Sequence, residues 1–184
     1  MSKLNPAQEL SKAIELAGAL HYDQFDKGGK PYVLHVLKVM HYLKSDDYQL
    51  NSIAALHDSV EDTSLTFEGM EKMGFSARVI QGIGRLTKQR GQSHNEYLRG
   101  VLQSKDACQV KLCDLRHNTD IRRLKGLCEK DFTRMKKYHK MHMQIKSMLQ
   151  WYELNNAVDY PSASSYLNER DCYIKNVMEV YFED

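Results

Sequence analysis

The stretch DFTRMKKYHKMHMQIKSMLQWYELN, residues 131–155, decides the fold. Phe132, Met135, Tyr138, His142, Ile145, Leu149 and Tyr152 recur there at three- and four-residue steps. That is the repeat of one face of an α-helix. Lys130, Arg134, Lys136, Lys137, Lys140 and Lys146 fall elsewhere and read as a solvated face; contact with a phosphate-rich ligand is the less common use of such a face. The chain has only Pro6, Pro31 and Pro161, so the 129 residues from Tyr32 to Tyr160 contain no proline. Proline is strongly unfavourable inside a helix, and its absence permits long ones. Alternating apolar and polar runs of strand length are scarce. The sequence predicts an all-α chain with short loops.

The same pattern extends in both directions. Asn5-Pro6 reads as an N-cap followed by proline at the first helical position. Leu10, Ala13, Ile14, Ala17 and Leu20 then form an apolar stripe. The polar stretch Asp23 to Lys30 breaks it. Pro31 opens a second helix with Val33, Val36, Leu37, Met40 and Leu43 facing inward, and a third begins near Gln49 and runs to His57. Thr66 caps a short helix to Met73, closed by Gly74, and Ser76 starts another. Further helices carry Tyr97, Val101 and Leu102, and then Val110 and Leu112 to Asp114. Asn156 to Ser165 reads as a loop, and a final helix over about 163–182 docks on the rest. The expectation is one domain over 1–184, with its motifs within about 7–150.

Composition excludes several functions. With 26 Lys+Arg against 24 Asp+Glu the net charge is +2, too balanced for binding nucleic acid by bulk attraction. The longest apolar run, Ile53 to Leu56, is far too short to span a bilayer, and the N-terminus lacks the apolar segment of a signal peptide. Four cysteines without CxxC pairing read as reduced thiols in a cytoplasmic protein. The oligomeric state is left open.

The densest chemistry is His57-Asp58-Ser59-Val60-Glu61-Asp62. His57 and Glu61 are four apart, as are Asp58 and Asp62, so each pair shares a face if the helix continues. If it stops near Asp58, the acids lie on the following turn. Adjacent imidazole and carboxylate suit a borderline or hard divalent metal, and the absence of cysteine argues against structural zinc. His35 and Asp114 are the candidates to complete a set drawn from three helices. An isolated His-Asp pair is ordinarily a satisfied or solvated one. His21, His41, His94, His139 and His142 take that ordinary reading. Lys88, Arg116 and Arg122 are weaker candidates for phosphate contact.

Four segments in order resemble the HD-domain phosphohydrolases of the RelA/SpoT hydrolase type. They are His21 to Tyr32 followed by Val33-Leu34-His35, then Ala54-Ala55-Leu56-His57-Asp58-Ser59-Val60-Glu61-Asp62-Thr63, then Gly84-Arg85-Leu86-Thr87-Lys88, then Val110-Lys111-Leu112-Cys113-Asp114-Leu115-Arg116-His117-Asn118. The resemblance implies a helical HD-domain bundle holding one divalent metal, usually Mn2+, on His35, His57, Asp58 and Asp114. It implies that Glu61 and Asp62 serve the hydrolytic water and proton transfer, and that Lys27 and Asn118 lie near a nucleotide. The implied reaction is removal of 3′-pyrophosphate from (p)ppGpp. A nucleoside mono- or triphosphatase, or a nucleotide-binding module without turnover, stands as the alternative. Two departures bear on the substrate. Asp26 stands where the family commonly has an arginine that faces the guanine, which predicts weaker hold on an electron-rich base. Asp114-Leu115-Arg116-His117-Asn118 also displaces an arginine by one position. The resemblance further implies a stand-alone protein without synthetase or regulatory domains.

Overall fold

The computed structural model describes residues 3–155 and 164–180. Ten α-helices follow one another: α1 (Pro6–Leu20), α2 (Val33–Leu43), α3 (Tyr48–Leu56), α4 (Ser59–Asp62), α5 (Phe67–Met73), α6 (Ala77–Leu86), α7 (His94–Leu102), α8 (Lys105–Asn118), α9 (Glu129–Leu154) and α10 (Ser164–Val180). A short 3-10 turn, Ile121–Arg123, joins α8 to α9. Among the described residues the only β-pairing is an isolated bridge between Phe25 and Pro31.

Local chemistry sets the boundaries. Asn5 accepts from the Gln8 N–H while Gln8 reaches back to the Asn5 N–H, a reciprocal cap on α1. Ser93 and Glu96 cap α7 reciprocally as well, while Thr66, Ser76 and Ser104 cap α5, α6 and α8 one-sidedly. Gly74 ends α5 with φ of 90°, a left-handed value that suits glycine. The helix expected to end at Asp114 runs one turn further, to Asn118.

Helix α3 is the axis. Every residue from Leu50 to Leu56 is buried, because α1, α2, α6 and α8 pack around it. Ile53 and Leu56 are fully buried there, each stabilising by about 2 kcal/mol. Helix α10 adds Ile174, Val177 and Met178 to the core against α7 and α9. No helix among the described residues is long and apolar enough to cross a membrane.

Two faces differ from expectation. On α1, Ile14 is exposed and Glu9 is wholly buried. Glu9 accepts from the backbone N–H of Ser76 and from the Gln49 amide, so a carboxylate on α1 completes the cap of α6. Glu9→Ala therefore leaves those donors unmet and is expected to cost about 2 kcal/mol. Urea unfolding checks this; a midpoint that hardly moves would remove Glu9 from the account. On α9, Met141, Ile145, Met148 and Tyr152 are buried but Phe132 is half exposed. Helices α7, α8 and α10 cover α9, and its buried residues all fall at Met141 or beyond. The segment 156–163, read as a loop, lies outside the described residues.

Candidate metal centre

Helix α3 stops at Leu56, and α4 restarts the chain at Ser59. His57 and Asp58 occupy the break with φ,ψ of −58°,−31° and −104°,−7°. The interrupted arrangement is therefore the one adopted, with Glu61 and Asp62 on the following turn. Asp58 thus faces the space between α2 and α8, which supply His35 and Asp114, while Glu61 and Asp62 are exposed on the turn beyond it.

One ligand atom each from His35, His57 and Asp58 lies within 4.8 Å of the other two. Asp58 Oδ2 is 2.9 Å from His57 Nε2 and 3.5 Å from His35 Nε2. Asp114 Oδ1 is 3.2 Å from His35 Nε2 and 3.8 Å from His57 Nε2. All four predicted residues are brought together. Both Nε2 atoms are buried and make no hydrogen bond despite these near carboxylate oxygens. Their Nδ1 atoms are engaged: His57 Nδ1–H donates to the Ala54 carbonyl at 2.8 Å, and His35 Nδ1 lies 2.6 Å from His117 Nδ1. On His57, engaging Nδ1 as donor to a carbonyl leaves the neutral ring's Nε2 lone pair facing the carboxylates. Orphaned nitrogen lone pairs beside convergent carboxylate oxygens fit a divalent cation.

The electrostatics agree with that fit. Burial works against charge on His57, but Asp58 and Asp114 outweigh it and hold the imidazole up at about 10. Burial would raise Asp114, yet Lys111 and the two imidazoles hold it well below the usual carboxylate range. Without a cation, protons on the imidazoles balance the carboxylates; a divalent ion replaces them.

A second layer fixes the group. Tyr32 O–H donates to Asp58 Oδ2 at 2.6 Å, and burial together with Asp58 keeps the phenol protonated. Lys111 Nζ donates to Asp114 Oδ2 at 2.8 Å, and the Asn118 amide donates to Asp114 Oδ1 at 2.5 Å. His21 is a satisfied core group, as read: it bonds Gln24 at 2.7 Å and Ser59 at 3.2 Å, tying the loop before α2 to α4. Tyr32, Lys111 and His117 all lie inside the quoted motifs, but only their neighbours identify their partners. Tyr32→Phe removes one donor to Asp58 and is expected to weaken Mn2+ binding about tenfold. Calorimetric titration checks this, and unchanged affinity would deny Tyr32 the role.

Beside the group opens a cleft of about 330 Å3, lined in part by Phe25, Lys27, Tyr32, Asn118, Arg134 and Tyr138. Lys27 and Asn118 are thus both at the cleft, although Asn118 spends its amide on Asp114. Arg134 and Tyr138 sit four apart on α9 and share its cleft face, which corrects the placement of Arg134 on a face opposite Tyr138. Asp26 also lines the cleft, but both of its carboxylate oxygens are already engaged. Its Oδ1 accepts from the N–H groups of Gly28 and Lys30, and its Oδ2 pairs with Arg123 at 2.9 Å. Glu61 is exposed and accepts from the Lys88 N–H at 2.8 Å, anchoring the Thr87–Lys88 turn. Burial and the Asp58 charge raise the Asp62 carboxyl. Arg116 lies over the Tyr42 ring and Arg122 pairs with Asp120.

No protein-family model matches the sequence. The guanosine-3′,5′-bis(diphosphate) 3′-pyrophosphohydrolase of Aquifex aeolicus is 30% identical over 120 residues, 62% of this chain and 17% of that protein. The bifunctional (p)ppGpp synthase/hydrolase SpoT of Escherichia coli is 30% identical over 123 residues, 60% of this chain and 18% of that one. A solved structure described as a metazoan ortholog of SpoT that hydrolyses ppGpp superposes with a TM-score of 0.63, covering 97% of this chain and 98% of that one at 20% identity. The chain is thus similar to HD-domain proteins of the RelA/SpoT hydrolase type. The solved likeness speaks for the fold alone. The chain spans less than a fifth of the length of those two curated relatives. A divalent metal is what the HD hydrolase family implies, and this chain presents a His-His-Asp group that could hold one.

Proposed function

We propose that the protein is a Mn2+-dependent phosphohydrolase that removes 3′-pyrophosphate from a (p)ppGpp-like nucleotide. The observation that carries the reading is the pair of orphaned Nε2 atoms facing Asp58 and Asp114, beside the cleft lined by Lys27 and Arg134. His35, His57, Asp58 and Asp114 would hold the ion. When bound, the ion lowers the pKa of water and polarises a phosphoryl oxygen. Asp62, its proton affinity raised by burial and by Asp58, accepts the water proton. Glu61 holds the Thr87–Lys88 turn against the rim and shares the positioning of water. Lys27 and Arg134 receive the phosphates, and the flat faces of Phe25 and Tyr138 flank the base. Water adds to phosphorus, the bond to O3′ breaks, and O3′ takes up a proton.

The four free thiols suit a reducing, cytoplasmic compartment. Asp26 is committed to its own loop, so this cleft lacks an arginine at position 26 to face a base. That favours keeping a nucleoside mono- or triphosphatase as the second reading.

The test is pyrophosphate and phosphate release from ppGpp, GTP, dGTP and AMP, with Mn2+ and with chelator. Mn2+-dependent pyrophosphate from ppGpp alone is expected. Release from another member selects the second reading. Tight nucleotide binding without turnover of any member would make the chain a non-catalytic module.

A further inference from the structure

Resting on the hydrolase reading above, we propose that Arg123 is a positioning residue of the metal centre, coupling the Lys27 loop to the candidate ligands Asp114 and His35. Arg123 lies in the short turn after α8 and is only 15% exposed at its side chain. Its guanidinium joins three groups. Nη2 pairs with Asp26 Oδ2 at 2.9 Å, and Nη1 donates to the His117 carbonyl at 2.8 Å and to Asn118 Oδ1 at 3.2 Å.

The last contact sets an orientation. An amide has one acceptor end and one donor end. With Asn118 Oδ1 held by the cation, its NH2 points at Asp114 Oδ1. A flipped Asn118 would set NH2 against the guanidinium and oxygen against the carboxylate, two repulsive contacts. Arg123 thus fixes which way Asn118 supports Asp114. It also holds the backbone of His117, whose ring meets His35 Nδ1.

The other end reaches the substrate loop. Asp26 Oδ1 gathers the N–H groups of Gly28 and Lys30, on either side of the turn that follows Lys27. A Cβ on Gly28 would overlap the Arg123 carbonyl oxygen, so the loop docks directly on this turn. One cation, pinned by one loop carboxylate, therefore ties the placement of Lys27 to the geometry of the ligand pair.

Metal binding by the full chain without nucleotide separates this role from a substrate contact. Mn2+ titration calorimetry on wild type, Arg123→Ala and Asp26→Asn supplies the affinities, with circular dichroism to verify folding. Arg123→Ala is expected to bind Mn2+ about tenfold more weakly, as for lost outer-layer support at other metal sites. Asp26→Asn keeps the loop acceptor, weakens the hold on Arg123 and is expected to lose less, in the same direction. A folded Arg123→Ala with affinity within about twofold of wild type overturns the proposal. So does a defect confined to nucleotide KM. If Arg123→Ala does not fold, Asp26→Asn decides, and unchanged affinity there overturns it. A wild type that binds Mn2+ but hydrolyses no nucleotide ends the hydrolase reading alone, since the affinity comparison still decides. A wild type that binds no Mn2+ ends both.

Discussion

Asp58→Asn is expected to release pyrophosphate about a thousandfold more slowly than wild type and to lose most Mn2+ affinity. Asp58 Oδ2 faces both orphaned imidazole nitrogens and accepts from Tyr32. Asparagine keeps the shape and an acceptor for Tyr32, but not the negative charge. A site that forfeits its cation forfeits several kcal/mol of stabilisation of the charge developing on phosphorus. Each 1.36 kcal/mol is a factor of about ten in rate, which sets the thousandfold scale. Asp58→Ala should be at least as inactive, and it also strands the Tyr32 hydroxyl. Steady-state rates with Mn2+, alongside melting curves, check the effect. Activity of Asp58→Asn within about tenfold of wild type would sink the metal assignment.

Lys111→Met should lower the stability of the chelator-treated protein by about 3 kcal/mol, since removing one partner strands the other in the interior. Lys111 Nζ is 2.8 Å from Asp114 Oδ2, and the two side chains are 17% and 3% exposed. Lys111 also lies over the Tyr97 ring, so methionine fills the volume and only the charge is lost. The fall corresponds to roughly 10 °C in melting temperature for a chain of this size. Saturating Mn2+ should narrow the gap, because the cation then faces the stranded carboxylate and binds the folded state alone. The measurement is melting temperature of both proteins with chelator and with Mn2+. A gap that stays constant on adding Mn2+ would mean that Asp114 does not meet the ion.

Several site residues were legible because their roles are local. His57 and Asp58 sit next to the apolar run of α3, and His35 lies one turn into α2 after Pro31. The motif with Asp114 lies near the end of α8, where Asp114 and Leu115 are buried. Tyr32, Lys111 and His117 were present in those motifs without a visible task. Lys111 meets Asp114 one turn away on α8, whereas Tyr32 reaches Asp58 and His117 reaches His35 only because distant segments pack together. Asp26 shows the limit most clearly. Read along the chain, it is an anion placed where a nucleotide base would be met. In the folded molecule it caps its own loop and holds an arginine 97 residues away.

The sequence by itself indicated most of the helices and the caps Asn5, Thr66 and Ser76, and its resemblance to the HD hydrolases pointed to His35, His57, Asp58 and Asp114. The helices and caps follow from periodicity and from short-range hydrogen bonding, both set within a few residues. The tertiary structure decided the buried faces of α1 and α9, the cleft face shared by Arg134 and Tyr138, and the chain from Asp26 through Arg123 and Asn118 to Asp114. The physical reason is that burial and ion pairing depend on which surfaces meet. A periodic stripe names a helix face, but only the packed neighbours say which part of it leaves water.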